Sequence, residues 1–511
     1  MSRTTNAWRN IFFGMINRIV KIIVPFLLRS LIIYKIGIEY LGLDGLFVSI
    51  LQVLNVAELG FSSAVVFSLY RPLAEKNTTI ICALLSFYRK IYRFMGAVIF
   101  GLGLLFMPFL DRIISGTIPS DMNIYVLYIL YLFNTVLGYF LYAYKNSIII
   151  ADQRADIISN IDSIMLLFRC TVQIILVFVF NNYYAYVLVF PLFTILNNFL
   201  VKCITDKYYP IYVCKGDIDS ALYKDIRKRV VGLMIYKLCG VSRNSFDNMF
   251  LSAYLGLYTV AVYNNYYLIL TGVISVMGVV SQAVVASIGN SIATESASKN
   301  YNDFKLFNFI YMFIAGGMTI ILLVTYQPFM MLWLGEDYML PFYVVIAMSA
   351  YFYVLKMGDV RGMYNDAAGL WWEQRYRTVL EVIVNVVLNY IFIKYCGVLG
   401  VVLASLISCF LVGFLGSSFV TFKYYFGRNN LCEYLNSQII YFFTTICIAC
   451  LVLYVISVSG QLILPFEIMK RVIISLIIYF IMMWMIWHNT KNFKSAKNFF
   501  RSSISMFNKV K

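Results

Sequence analysis

The sequence predicts an all-α polytopic membrane protein of about 14 transmembrane helices, arranged as two six-helix lobes followed by two extra helices. Two properties of its 511 residues support this prediction: 61% are hydrophobic and only 13% are charged. A soluble protein of this length could not hide such an apolar fraction in its core, so most of it must face lipid. The mean hydropathy of +0.80 agrees with that assignment.

Apolar stretches long enough to cross a bilayer recur along the whole chain. A hydrocarbon core about 30 Å thick needs roughly 20 apolar residues in a helix. The candidate helices lie near 11–36, 43–69, 88–110, 122–144, 157–180, 184–203, 230–254, 258–288, 307–334, 338–360, 376–394, 397–420, 438–458 and 468–488. An even number of spans puts both ends of the chain on the same side of the membrane.

The distribution of basic residues predicts that this side is the cytoplasm. In that orientation most of the 41 Lys and Arg residues fall on the inner side, in segments such as 71–76, 205–229 and 423–430. The outer side receives only Lys35, Arg112, Lys394, Lys470 and Arg471. This asymmetry follows the positive-inside rule and indicates a bacterial cytoplasmic (inner) membrane protein with both termini inside.

The tetrapeptide Tyr-Leu-Gly-Leu occurs twice, in EYLGLDGLF (39–47) and in AYLGLYTVAVY (253–263). Arg29 precedes the glycine of the first copy by as many residues as Arg243 precedes that of the second. We expect each copy to hold an intramembrane arginine, an outer Gly-containing turn at Gly42 or Gly256, and the start of the next helix. Six spans separate the copies, which predicts parallel repeats around a central cavity, the architecture of an alternating-access transporter.

This repeat predicts the domain organisation of the chain. The predicted parts are an N-lobe of helices 1–6 (1–204), a cytoplasmic inter-lobe linker (205–229), a C-lobe of helices 7–12 (230–420), helices 13–14 (421–488) and a basic cytoplasmic tail (489–511). The tail alternates apolar and basic residues at helical spacing. It is either an interfacial helix on the inner leaflet or a basic segment that fixes the topology.

Basic residues inside the predicted spans are the candidate substrate site, because intramembrane charge is costly and by default marks function. Three of them share one face of the first span over about 16 Å. The candidate substrate-binding residues are Arg18, Lys21, Arg29, Arg169, Lys237 and Arg243. A surplus of buried positive charge predicts an anionic ligand, and guanidinium groups suit phosphate through paired charge-assisted hydrogen bonds.

Buried carboxylates are the candidate ion-coupling residues. We assign this role to Glu58 and Asp247, because a buried carboxylate can take up a proton or a cation. Asp44 shares a helix face with Glu58. Asp247 is also spaced to pair with Arg243, so a structural ion-pair network remains the alternative for these charges. Lys356 and Asp359, near the inner end of the tenth span, could reach the membrane surface.

Several classes of function are disfavoured by the sequence. The chain contains a single histidine, His488, and most cysteines lie in apolar runs, so we predict no metal site, no cofactor and no nucleic-acid partner. A membrane polysaccharide polymerase or ligase is a remote alternative. Such enzymes usually place a large catalytic loop outside, whereas the longest loop here (204–229) is predicted to lie inside.

Several stretches resemble polysaccharide flippases, the Wzx-like branch of the multidrug/oligosaccharidyl-lipid/polysaccharide exporter (MOP) superfamily. The most specific is IGIEYLGLDGLFVSILQVLNVAELGFSSAVVFSLYRPLAE (36–75). The others are RNSFDNMFLSAYLGLYTVAVYNNYYLI (243–269), ASIGNSIATE (286–295), LWLGEDY (332–338) and GVLGVVLASLIS (397–408). The resemblance extends over spans one to 12.

This resemblance implies a two-lobed flippase that moves an undecaprenyl-diphosphate-linked oligosaccharide to the outer leaflet for surface polysaccharide assembly. It implies coupling to an ion gradient, with Na⁺ or H⁺ as candidates, or to the membrane potential. Membrane lipids are implied partners, and a polysaccharide polymerase is a candidate partner. The alternatives within the superfamily are a lipid II flippase, which shares 14 spans and a cationic cavity, and a multidrug/cation antiporter.

Overall fold

The computed structural model is helical, with no strand among its described residues. It describes the backbone of all residues except 1–2, 56–60, 62–64, 67, 74, 116–117, 120, 153, 461 and 511. The additional side chains that it leaves undescribed are those of 3–11, 221, 225, 228–229, 231–233, 235–240, 242–244, 279–280, 282–287, 289–290, 293, 500 and 502–510.

The chain divides into two compact units, Met1–Asn264 and Asn265–Lys511. The helices of the first unit that have described bounds and more than four residues are α1 Arg3–Lys35, α2 Ile38–Leu54, α3 Thr78–Phe106, α4 Ile124–Phe140, α5 Asn146–Ala151, α6 Ala155–Phe180 and α7 Tyr183–Tyr208. The division falls inside the next helix, α8 Ser220–Thr294. The finer domain boundaries given by the sequence stay a prediction.

The helices of the second unit follow the end of α8. They are α9 Ala297–Trp333, α10 Phe342–Met357, α11 Asp359–Ala368, α12 Arg375–Ser408, α13 Ser417–Thr421, α14 Leu431–Val458, α15 Leu464–Trp487 and α16 Lys491–Val510. Two π-helical segments, Cys409–Gly416 and Phe422–Phe426, flank α13. The helical path therefore continues from α12 to Phe426 with local changes in pitch.

Within the described residues, nine helical segments are long and apolar enough to span a membrane, and α4 with α5 forms a tenth candidate bent by 48°. Two of the nine contain a backbone break. Gly256 in α8 has φ 82° and Gly397 in α12 has φ 55°, a region that favours glycine. Gly256 lies between the predicted spans 230–254 and 258–288, and Gly397 is the first residue of the predicted span 397–420, so both breaks fall where one predicted span gives way to the next. The multi-span fold class is also confirmed, whereas the count of 14 stays a prediction.

The glycines of the repeated tetrapeptide do not have equivalent structures. Gly256 interrupts its helix, but Gly42 lies inside α2, and the chain turns at Gly37 instead (φ 143°). The predicted turn at Gly42 is therefore wrong. This glycine serves close packing, since a Cβ atom there would overlap the backbone carbonyl of Leu257. The two copies of the tetrapeptide thus pack against each other within the first unit.

The helices predicted as spans 13 and 14 correspond to α14 and α15, and both pack on α9. The Tyr479 hydroxyl on α15 donates to the Phe313 carbonyl at 2.6 Å. A Cβ atom on Gly316 would lie 2.7 Å from that hydroxyl oxygen, so the glycine permits this approach. The predicted tail helix exists as α16, and its Phe499 contacts Phe307 of α9 with ring centroids 6.0 Å apart.

Candidate functional site

A cavity of about 400 Å³ lies within the first unit and is lined by α1, α2, α4, α6 and α7. Its polar and charged lining residues are Arg29, Asp44, Gln52, Asn55, Tyr131, Asn134, Thr135, Arg169 and Tyr186, and its apolar ones include Val24, Pro25, Leu28, Leu166 and Phe190. Because charges here lie inside a bundle of apolar helices, the cavity is the candidate functional site of this unit.

Two of the predicted substrate-binding arginines meet in this cavity. Arg29 comes from α1 and Arg169 from α6, and these helices pack together. Asn17 on α1 fixes their register by donating to the Ser163 hydroxyl at 2.9 Å and to the Ser159 carbonyl at 3.0 Å. The two helices run in the same direction. Arg29 lies about 3.3 turns after Asn17, and Arg169 lies about 1.7 turns after Ser163, so both guanidinium groups reach the cavity beyond this contact.

Arg169 has hydrogen-bonding capacity that the protein leaves unused. Its guanidinium lies over the Phe190 ring, 5.0 Å from the centroid. Its Nε atom is buried and has no hydrogen-bond partner among the described residues. A buried donor without a partner is unfavourable for stability. A buried guanidinium with an unused donor is therefore typical of a ligand-binding residue.

Asp44 brings a carboxylate to the same cavity. Its Oδ1 accepts a hydrogen bond from the Tyr131 hydroxyl at 2.6 Å, and it interacts electrostatically with both Arg29 and Arg169. The Tyr183 hydroxyl lies 3.1 Å from that of Tyr131. With two guanidinium groups and one carboxylate, the described lining carries a formal surplus of one positive charge.

Amide, hydroxyl and aromatic groups form the remaining polar wall. Asn55 accepts from the Tyr139 hydroxyl at 3.2 Å, and Asn134 accepts from the Thr194 hydroxyl at 2.7 Å. Each asparagine therefore has a fixed carbonyl oxygen and an amide that can donate elsewhere. Amides and an aromatic ring that line one cavity are suited to a polyol such as a sugar.

The other two predicted cations of α1 are not among the described residues that line the cavity. Lys21 is half-exposed and forms an ion pair with Asp162 of α6 at 3.3 Å. Arg18 lies three residues before Lys21 and is partly exposed. Asp162 was not assigned a role from the sequence, and its pairing with Lys21 reduces the surplus of positive charge expected along α1.

Three predicted site residues lie outside the described part of the structure: Glu58 entirely, and Lys237 and Arg243 by their side chains. Asp247 is buried, and its Oδ2 accepts a hydrogen bond from Tyr263 at 3.2 Å. Whether the Lys356–Asp359 pair reaches the membrane surface stays a prediction. Lys356 is 4% exposed and donates to the Asp359 carboxylate at 2.8 Å, which leaves its buried charge paired.

Some residues of the cavity were not assigned a role from the sequence. Asp44 was noted on the face of Glu58 but not assigned to the site, although an isolated carboxylate near the start of a span was a usable signal. Tyr131 and Asn134 gave little signal, because polar aromatic and amide residues are scattered through most spans of this chain. Their position facing the arginines depends on helix rotation, which the sequence does not report.

The fold of this chain is similar to that of known transporter structures. No protein-family model matches the chain, and no curated protein matches it by sequence. The chain is similar to the structure of lipid II flippase MurJ in an inward closed conformation, with 17% identity, a TM-score of 0.64, and coverage of 94% of this chain and 99% of that one.

Two multidrug transporters are also similar in structure. An inward-facing multidrug resistance MATE family transporter of the MOP superfamily has 14% identity and a TM-score of 0.60, covering 81% of this chain and 95% of that one. A mutant of the Vibrio cholerae MATE transporter VcmN has 13% identity and a TM-score of 0.60, covering 82% and 97%. The chain thus has the helical multi-span fold of these three transporter structures, which confirms the fold class that its sequence predicted.

Proposed function

We propose that this chain is a flippase that moves an undecaprenyl-diphosphate-linked oligosaccharide from the inner to the outer leaflet of a bacterial cytoplasmic membrane by alternating access. The observation that carries the proposal is the polar cavity in which Arg29 and Arg169 outnumber the one described carboxylate. The MOP transporter fold supports a transport role rather than an enzymatic one. The transport product would serve surface polysaccharide assembly, with a polysaccharide polymerase as a candidate partner.

In this proposal the two arginines bind the diphosphate. Guanidinium donors form short, charge-assisted hydrogen bonds to phosphate oxygens, and Arg169 has a buried Nε without a partner in the described structure. The amides of Asn55 and Asn134 and the Phe190 ring contact the first sugars. The polyprenyl chain stays in the bilayer, because its transfer into a polar cavity would be unfavourable.

In this proposal, Arg18 and Lys21 attract the diphosphate before it reaches the cavity. They lie on the same helix as Arg29, and the distance along the axis from Arg18 to Arg29 is about 16 Å. A cationic path of this length attracts a diphosphate towards the deeper site. Lys237 and Arg243 remain proposed contributors from α8.

Release of the headgroup requires a competing negative charge or a change of protonation, and we assign this role first to Asp44. Its carboxylate interacts with both cavity arginines. When it is ionised it competes with the diphosphate for them, and when it binds a proton the competition ends. Glu58 and Asp247, the residues first predicted for Na⁺ or H⁺ coupling, remain proposed participants.

A cation/proton antiporter is the second candidate function, and Asp44 is the observation that favours it. A carboxylate in a cavity with aromatic walls can bind a cationic drug or a proton. The similarity to MATE transporters agrees with this alternative. The surplus positive charge of the cavity argues against it, because a cation would have to bind beside two arginines. A lipid II flippase shares the anionic diphosphate chemistry and is distinguished by the group that is linked to the diphosphate.

The test is leaflet exchange of a lipid-linked oligosaccharide in liposomes that contain the purified chain. Exchange is read as accessibility of the saccharide to a glycosidase added outside. Wild type is compared with the double variant Arg29→Ala plus Arg169→Ala. The charge-matched control is Lys90→Ala plus Lys299→Ala, because these exposed lysines pair with Asp217 and Glu295 outside the cavity.

We expect wild type and the control variant to exchange the lipid-linked oligosaccharide rapidly between leaflets, and the double variant to lose this exchange. Lipid II and a cationic dye are assayed in parallel. Preferential movement of lipid II would identify the other flippase branch. Export of the dye with no movement of either lipid would overturn the proposal in favour of the antiporter.

A further inference from the structure

A second cavity, of about 670 Å³, lies within the second unit and opens to the surface. It is lined by Glu373, Tyr376, Arg377, Phe419, Val420, Lys423, Tyr424, Arg428 and Leu431. These residues come from the start of α12, the segment from α13 to Gly427, and the start of α14. The transport proposal does not use this cavity.

The cavity is positively charged and contains a fixed guanidinium. Its lining includes three cations and one carboxylate. Arg377 is held by hydrogen bonds to Glu381 at 2.5 Å and to Gln374 at 2.8 Å, which hold the guanidinium plane in place. Lys423 and Arg428 are exposed. Their ammonium and guanidinium groups are therefore available to an anion.

An aromatic and cationic belt places this cavity at the membrane surface. The Arg375 guanidinium lies 4.0 Å from the Trp372 ring centroid and 4.3 Å from that of Tyr376. Trp372 is 48% exposed and Tyr376 is 74% exposed. Exposed Trp and Tyr at the end of a spanning helix are characteristic of the headgroup level of a bilayer.

Apolar residues continue from the cavity along the lipid-facing side of the same helices. Phe419 is 59% exposed in the lining, and Leu380 and Ile383 of α12 are 51% and 54% exposed. The site thus combines cations at the headgroup level with an apolar surface below them. A free anion would leave that apolar surface uncovered, whereas the acyl chains of a phospholipid would cover it.

The position of α16 also indicates that the cavity lies at the level of the lipid headgroups. α14 begins at the cavity with Leu431, and α15 returns beside it, with the Trp487 and Tyr441 rings 5.0 Å apart. The basic helix α16 follows directly at Lys491. The end of the second unit that holds the cavity therefore also holds the amphipathic helix, which is suited to an anionic leaflet.

We propose that this cavity is a binding site for one anionic phospholipid of the bilayer, whose phosphate contacts Arg377, Lys423 and Arg428. Its acyl chains lie along Phe419 and the exposed face of α12. A zwitterionic phospholipid binds more weakly, because its own cation opposes the same three side chains. The site is separate from the proposed substrate cavity, so its test does not depend on transport.

The experiment measures binding of phosphatidylglycerol to the full-length chain in detergent by native mass spectrometry, with phosphatidylcholine as the neutral comparison. The variant is Lys423→Gln plus Arg428→Gln, which removes two exposed charges and leaves the Arg377–Glu381 pair in place. Two basic residues near a membrane surface contribute roughly 30-fold to the affinity for an anionic lipid. We expect a loss of that size for phosphatidylglycerol and little change for phosphatidylcholine.

Two further variants control the measurement. Lys299→Gln plus Lys305→Gln removes the same charge near the start of α9, where both lysines pair with glutamates outside the cavity. Lys423→Arg plus Arg428→Lys keeps the charge and should keep binding. An equal loss in the Lys299 and Lys305 variant, equal affinity of wild type for both lipids, or displacement of phosphatidylglycerol by millimolar inorganic phosphate would each overturn the assignment.

Discussion

Replacement of Arg169 by methionine should leave the fold intact and abolish most of the transport. Methionine keeps an unbranched side chain of similar length beside Phe190, and it removes the guanidinium with its buried Nε. Loss of a cation–π contact over Phe190 destabilises the protein, and loss of a buried donor without a partner stabilises it. Each contribution is about 1–2 kcal/mol, so the free energy of unfolding should change by no more than about 1 kcal/mol.

The same substitution should have a large effect on transport of the lipid-linked oligosaccharide. A hydrogen bond to a charged group contributes about 1.5–3 kcal/mol. If Arg169 donates to the diphosphate, kcat/KM should fall roughly 10- to 150-fold. Unfolding is followed by denaturant titration in mixed micelles, and transport is followed by the glycosidase assay in liposomes.

Lys356→Met is the matched control, because Lys356 is also a buried cation but forms an ion pair with Asp359 at 2.8 Å. Removal of one partner from a buried pair costs about 3–5 kcal/mol, and because the Asp359 side chain is 25% exposed we expect a loss towards the lower end of that range. Equal destabilisation of the two variants would refute the reasoning and make Arg169 a structural cation. Unchanged transport by Arg169→Met would refute its role in binding.

Three other predictions concern the first unit. Asp44→Asn should make transport insensitive to an imposed pH gradient and slow the release of substrate, which is measured by varying the internal pH of the liposomes; a retained pH response would reject Asp44 as the coupling group. Gly42→Val should lower the free energy of unfolding by about 1–3 kcal/mol, because the added carbons overlap the carbonyl of Leu257; unfolding titrations check this, and an unchanged midpoint would contradict the close packing. Lys21→Gln should change stability by less than about 1 kcal/mol, since its pair with Asp162 is partly exposed; a larger loss in the same titration would show that the pair holds α1 on α6.

The sequence was sufficient for the fold class, because lipid exposure constrains composition strongly. Helices that face hydrocarbon must be apolar and must satisfy their own backbone hydrogen bonds, so hydropathy located most of the spans. Turn positions were less certain. The repeated tetrapeptide predicted the break at Gly256 correctly, but it also suggested a turn at Gly42 that the structure has at Gly37.

The sequence by itself determined that this chain is a helical membrane protein with arginines in unfavourable surroundings, since each intramembrane charge stands out against apolar neighbours. Only the tertiary structure decided which charges act together. Arg29 and Arg169 share a cavity with Asp44, whereas Lys21 pairs with Asp162. The physical reason is that these partners are far apart in the chain, and their meeting depends on how whole helices rotate and pack.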